Sequence, residues 1–281
     1  RYGIDTISTG ATVAFAMECF ENGLLSQAEV DGLQLDFGNA EAMLALVEKI
    51  AKRDGIGDLL ANGSKKAAEI IGKNSIRYAM QVKGLELPYH APRLNQGLSI
   101  HYSVHAVGPD HVTGPIDNIL PSLMDNWERI HLAQDLAPTD LSPRKARMAY
   151  ELGLYKEMPN SLGVCSFVPW NISELRDAVE AVTGWPATTW KLIKAVERGM
   201  TLMRIFNLRE GFTKDDDRLP ERFHTAPQEG PLKGIKIDPA AHRDAVDTYY
   251  QLLGWDRDGV PTKACLTALD LEWAAQFLES Q

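Results

Sequence analysis

The chain has 281 residues, 44% hydrophobic and 24% charged, the profile of a globular protein that can bury a core without disulfide or metal staples. Its 29 basic residues against 38 acidic ones leave a net charge of −9, which argues against nucleic acid or an anionic membrane as partner, because both recruit clustered cations. No apolar run reaches the roughly 18 residues of a membrane helix, no signal peptide is visible, and a start at Arg1 rather than Met predicts a fragment or a processed subunit.

In chain order, Ser8 or Thr9 is expected to start a helix over 8–22 that stops at Gly23. Ser26 and Glu29 form an S-x-x-E capping box, predicted to open a short helix ending near Gly32. Asn39 is a good cap for 40–53, where Met43, Leu44, Leu46, Val47 and Ile50 recur at helical spacing. A single helix is expected over 57–71, ended by Gly72. Residues 76–86 alternate loosely and predict at most a short strand or hairpin. Pro88, Pro92 and Gly97 then mark a loop, so the domain boundary is placed near residue 80, giving helical domains 1–80 and 81–281.

Further helices are expected over 96–107 and 116–134, then from Pro143 (capped by Ser142) to about Tyr155. Others follow over 174–182 behind Ser173, over 187–209, 239–253 and 263–278. Residues 213–237, rich in Pro and Gly, read as an ordered surface loop. No glycine-rich phosphate loop and no repeated βα unit occurs. The expected fold class is all-α and multihelical.

Three cysteines, Cys19, Cys165 and Cys265, are widely spaced. That is neither a disulfide framework nor a CxxC zinc motif, and it predicts a reducing, cytoplasmic setting. His101 and His105, four apart, would share a helix face and suit zinc if His111 or Asp110 joined them. His111, in the turn GPDH, is a candidate general acid/base or a structural histidine. Cys165, in NSLGVCSF, reads as a buried turn cysteine or as a thiolate held for a metal on a tight polar turn of Asn160, Ser161 and Gly163. Glu86 is a candidate buried carboxylate, with Lys83 or Arg93 as the expected ion-pair partner.

The opening RYGIDTISTGATVAFAMECFENGLL resembles the tungsten-dependent aldehyde:ferredoxin oxidoreductase family. The resemblance continues through GNAEAMLALVEKIAKRDGIGDLLANGSKKAAEIIG, KGLELPYHAPR, NSLGVCSF, FNLREGFTKDDDRLPERF and YYQLLGWDRDGVP. It covers essentially the whole chain and corresponds to the family's second and third domains. The resemblance implies a tungstopterin (or molybdopterin) beside a 4Fe–4S cluster in the full enzyme. Cys165 would be the fourth cluster ligand, the other three lying upstream of residue 1.

It further implies that Asp5, Asn160 and the backbone of Leu162, Gly163 and Val164 contact pterin, and that His111 lies near the metal as a proton carrier. Two departures stand out. Asn160 occupies a position that is usually Asp in the family, and Thr113 one that is often basic. The implied reaction oxidises a small aldehyde to a carboxylic acid and passes electrons to ferredoxin. The implied partners are the N-terminal pterin-binding domain, ferredoxin and a second copy in a homodimer. The chain alone is expected to carry no cofactor and to be inactive. The alternative is a metal-free helical scaffold or partner-binding subunit that keeps the fold.

Overall fold

The computed structural model describes residues 2–114 and 136–278; the helix expected over 116–134 lies outside them. Among the described residues the regular elements are helices apart from one antiparallel hairpin, β1 (Gln81–Val82) with β2 (Leu85–Glu86), in the register Gln81↔Glu86 and Val82↔Leu85. The all-α expectation therefore holds. Among the described residues no helix is long and apolar enough to cross a membrane.

The chain divides into two units. One comprises residues 1–91, 107–109 and 219–225; the other 92–106, 110–218 and 226–281.

In the first unit, α1 (Thr6–Glu21) begins earlier than expected because Asp5, not Ser8 or Thr9, is its cap: Asp5 accepts the Ser8 amide. α2 (Ala40–Lys52) is capped by Asn39 and ends at Arg53 in the left-handed region. The helix expected over 57–71 is two, α3 (Ile56–Leu60) and α4 (Gly63–Ile71). Gly63 at φ +85° breaks the run, and Asn62 donates back to the Asp58 carbonyl. The Ser26–Glu29 box forms its side-chain bonds, yet only turns follow it; a segment that short cannot repay helix nucleation. Val13, Phe15 and Ala16 of α1 meet Leu46 and Ile50 of α2, Leu60 and Ala67 in a buried core.

Glu86 lies in this unit and is 4% exposed. Instead of the expected ion pair, its carboxylate accepts the Ser64 amide at 2.7 Å, the Ser64 hydroxyl at 2.9 Å and the Thr12 hydroxyl at 3.4 Å. The carboxylate thereby supplies an acceptor at the start of α4, where amide groups lack helical partners.

In the second unit every residue of α5 (Gln96–Val104) is buried. α6 (Pro143–Leu162) and α9 (Pro239–Leu252) pack against it, and α8 (Thr189–Arg209) packs on α6. The two serines of α5 bond locally: Ser99 Oγ donates to the Gln96 carbonyl and Ser103 Oγ to the Ser99 carbonyl. α7 (Ile172–Thr183) starts from a capping box of Asn171 and Glu174 rather than from Ser173. The expected last helix is α10 (Lys263–Ala268) and a separate 3-10 turn, Glu272–Phe277.

The largest departure is in α6. It passes through Pro159 and ends at Leu162, well beyond Tyr155. Pro removes one intrahelical bond and is costly inside a helix. Here the segment buries Met158 and packs Leu162 on the core, which offsets that cost.

Candidate functional site

The residues NSLGVC are the end of α6, not a free-standing polar turn. Gly163 is the left-handed cap at φ +69°, and a Cβ there would meet nothing within 4 Å. Its amide donates to the Asn160 carbonyl, and the Val164 amide to the Pro159 carbonyl at 2.9 Å. Both donors thus close the helix end. Asn160 and Cys165 are exposed, whereas Leu162 and Val164 pack partly buried against the core. The Cys165 carbonyl accepts the Trp170 indole N–H at 3.2 Å, which fixes the chain just past the helix.

Cys165 is exposed, whereas Cys19 and Cys265 are buried. Burial, with Glu18 adding, pushes the Cys19 thiol up to about 12. Only the thiolate ligates a metal, so Cys165 is the cysteine of this chain fit to do so.

His111 sits in the loop stretch 110–114, in the same unit as α6. Asp110 shapes that loop by accepting the Val112 amide at 2.8 Å and the Thr113 hydroxyl at 2.7 Å. The Thr113 hydroxyl is therefore spent as a donor, so it accepts from His101 Nε2, 3.1 Å away. That network assigns the Nε2–H tautomer to His101. From α6, the Lys156 ammonium donates to the Val112 carbonyl at 3.1 Å. Burial lowers the Lys156 pKa, and the charge of Asp110 opposes that shift.

His101 and His105 do not converge on a metal. Their rings stack at 4.7 Å between centroids, and His105 is the residue that ends α5 rather than part of its body. Among the described residues no group of three or more His, Cys, Asp or Glu is placed to hold a metal ion, so the zinc reading has no ligand set there. His105 Nε2 lies 3.8 Å from the Glu157 carboxylate, and neither of its ring nitrogens has a hydrogen-bond partner among the described residues. Glu157 in turn accepts the Asn160 side-chain amide at 3.5 Å. Burial, with Glu157 adding, pushes the Tyr249 phenol up. A Cβ on Gly153 would lie 3.4 Å from that phenol oxygen, in ordinary van der Waals contact.

Asp5 belongs to the first unit. It lines a cavity of about 440 Å³ with Ser8, Thr9, Thr12, Lys52 and Arg53. One of its oxygens caps α1. Sequence reasoning missed Lys156 and Glu157. Nothing in the spacing of residues 44 apart pairs Lys156 with Val112, and both side chains read as an ordinary polar helix face.

The family model for aldehyde ferredoxin oxidoreductase, domains 2 and 3, matches residues 1–271. The chain is 35% identical, over 96% of its length, to the tungsten-containing aldehyde ferredoxin oxidoreductase of Pyrococcus furiosus, of which it covers 43%. The enzyme of the same description from Pyrococcus horikoshii is 34% identical over 97% of the chain, which covers 44% of it. The chain thus spans under half the length of these curated relatives. Among solved structures it resembles the active site complex BamBC of benzoyl coenzyme A reductase, bound to 1,5-dienoyl-CoA. The TM-score is 0.75 at 27% identity, covering 99% of this chain and 46% of that one.

Proposed function

The chain belongs to the aldehyde ferredoxin oxidoreductase family, and from that membership we propose that it is the helical portion of an oxidoreductase that converts aldehydes to carboxylic acids. Water supplies the added oxygen, and the electron pair released leaves toward ferredoxin. The observation that carries this reading is the exposed Cys165 thiol at the end of α6, in one unit with the His111 loop.

The donor set fits a shared site. A 4Fe–4S cluster takes four cysteine thiolates, and this chain offers one that is accessible. When bound, a tungstopterin and its neighbouring cluster supply oxygen-transfer and one-electron chemistry that side chains lack. Cys165 would hold the cluster through its thiolate. Because the Gly163 and Val164 amides close α6, contact with a pterin edge at this end falls to the Asn160 side chain, the Leu162 and Val164 surfaces and their carbonyls. Asp5 would meet pterin through the oxygen not engaged in capping α1. His111 would hold or move a proton at the substrate oxygen, on a loop bonded to Asp110 and Lys156.

In this reading the two units correspond to the family's second and third domains, and an N-terminal pterin-binding domain completes the site. The chain by itself is then inactive. A metal-free helical partner-binding subunit is the alternative, favoured by Asn160 and by Thr113, whose hydroxyl donates to Asp110 and lies 3.1 Å from His101 Nε2. Metal analysis of the full-length protein that contains this chain separates the two.

A further inference from the structure

We propose that Lys156 is a positioning residue for His111, acting from α6 through the Val112 carbonyl. The proposal takes the proton-carrying role of His111 from the reading above, but the contact itself rests on geometry. The peptide groups on both sides of Val112 are gripped. Its amide is accepted by Asp110 Oδ1 at 2.8 Å, and its carbonyl accepts the Lys156 ammonium at 3.1 Å. The first of these peptides joins His111 to Val112, so holding it, with the next peptide held by Lys156, limits the backbone rotation that would swing the His111 side chain.

The loop's exit is equally constrained. A Cβ on Gly114 would fall 2.4 Å from Leu98 Cδ1 and 3.1 Å from the His101 ring. Backbone freedom at 111–113 is therefore limited at its far end by close packing and at its centre by an ion-assisted bond. A bond from a charged donor is stronger than one between neutral groups, and Lys156 is largely withdrawn from water, so solvent competes weakly for it.

The choice of helix matters. Lys156 stands six residues before Leu162, the last residue of α6, a separation of about 9 Å along the axis. The same rigid element thus carries the anchor of the His111 loop and, at its end, the turn that presents Cys165. Lys156 thus ties the loop to the helix that carries that end. One of its N–H groups donates to the Val112 carbonyl, and the charge of Asp110 favours its ammonium form; the role assigned to it is that of an anchor.

Hydrogen exchange on the full-length protein, read by mass spectrometry on peptides spanning 108–114, tests this. Lys156→Met keeps the apolar stem and deletes the donor; Lys156→Arg keeps a cationic donor. The expected result is about tenfold faster exchange across 111–113 in Lys156→Met, with α6 protection unchanged, and restored protection in Lys156→Arg. Unchanged exchange in the loop, or acceleration shared by the whole of α6, would overturn the proposal. The measurement needs neither cofactor nor substrate, so it succeeds or fails independently of the oxidoreductase reading. Loss of turnover in His111→Gln, with the loop still protected, tests that reading separately.

Discussion

The Asn160 side-chain amide lies 3.5 Å from the Glu157 carboxylate, one helical turn before it. The amide nitrogen is thereby drawn inward, and the amide oxygen is left to face outward as an acceptor. An Asp at 160 would offer an acceptor too, but beside Glu157 it would add a like charge. The Asn therefore suits this helix end.

Asn160→Asp is expected to destabilise the protein by about 0.5 kcal/mol at neutral pH, the size of a like-charge pair on a helix surface. The new carboxyl would have its folded-state pKa raised by Glu157. The penalty is thus present where both carboxylates are ionised, above about pH 4, and fades as they protonate. Thermal melts of the variant and the parent at neutral and acidic pH check both the size and the sign. A variant as stable as the parent at neutral pH would show that Glu157 does not bear on position 160.

Gly163→Ala should cost about 1 kcal/mol. The cost is purely conformational, because the site is open but left-handed at φ +69°. Urea denaturation reads it, and Gly163→Asn should recover part of the loss because Asn tolerates that backbone region.

Much of this architecture was legible in the sequence, and the failures have distinct causes. Asn39 and Pro143 marked helix starts correctly because their signals are local: Asn39 accepts the Ala42 amide, and Pro143 has a preset φ and no N–H to satisfy. The expected start at Ser8 was wrong because Asp5, three residues earlier, makes the local capping bond. The expected stop near Tyr155 was wrong because the core contact of Met158 and Leu162 carried α6 through Pro159. At the candidate site, Cys165, Asn160 and His111 could be named from motifs. The neighbours that hold them in place could not: Lys156 reaches Val112 across 44 residues, and Glu86 finds Ser64 rather than a cation. Long-range polar pairing leaves no periodic trace in one chain.

Glu86→Ala removes the acceptor of the Ser64 amide and hydroxyl inside the first unit. Leaving those donors buried and unpaired should cost about 2–3 kcal/mol. Glu86→Gln retains an acceptor oxygen and should lose less. Equal losses in the two variants, measured by denaturant unfolding, would mean that packing rather than hydrogen bonding dominates at this position.

Thiol labelling should follow exposure. With a small disulfide reagent near neutral pH, the native protein is expected to show one fast-reacting thiol, Cys165. Cys19, whose pKa burial raises to about 12, and Cys265, also raised by burial, should react only on unfolding. Cys165→Ser should abolish the fast phase. A fast phase that persists in that variant would place an accessible thiol elsewhere.

The central claim, that Cys165 is one ligand of a shared cluster site in a tungsto-enzyme of this family, is tested most directly by metal analysis. The full-length protein that contains this chain should be purified without air, as parent and as Cys165→Ser. The account predicts tungsten or molybdenum together with about four iron atoms per parent chain, and a marked loss of iron in the variant. Parent protein that carries neither tungsten or molybdenum nor iron would contradict it and leave the helical scaffold as the better description.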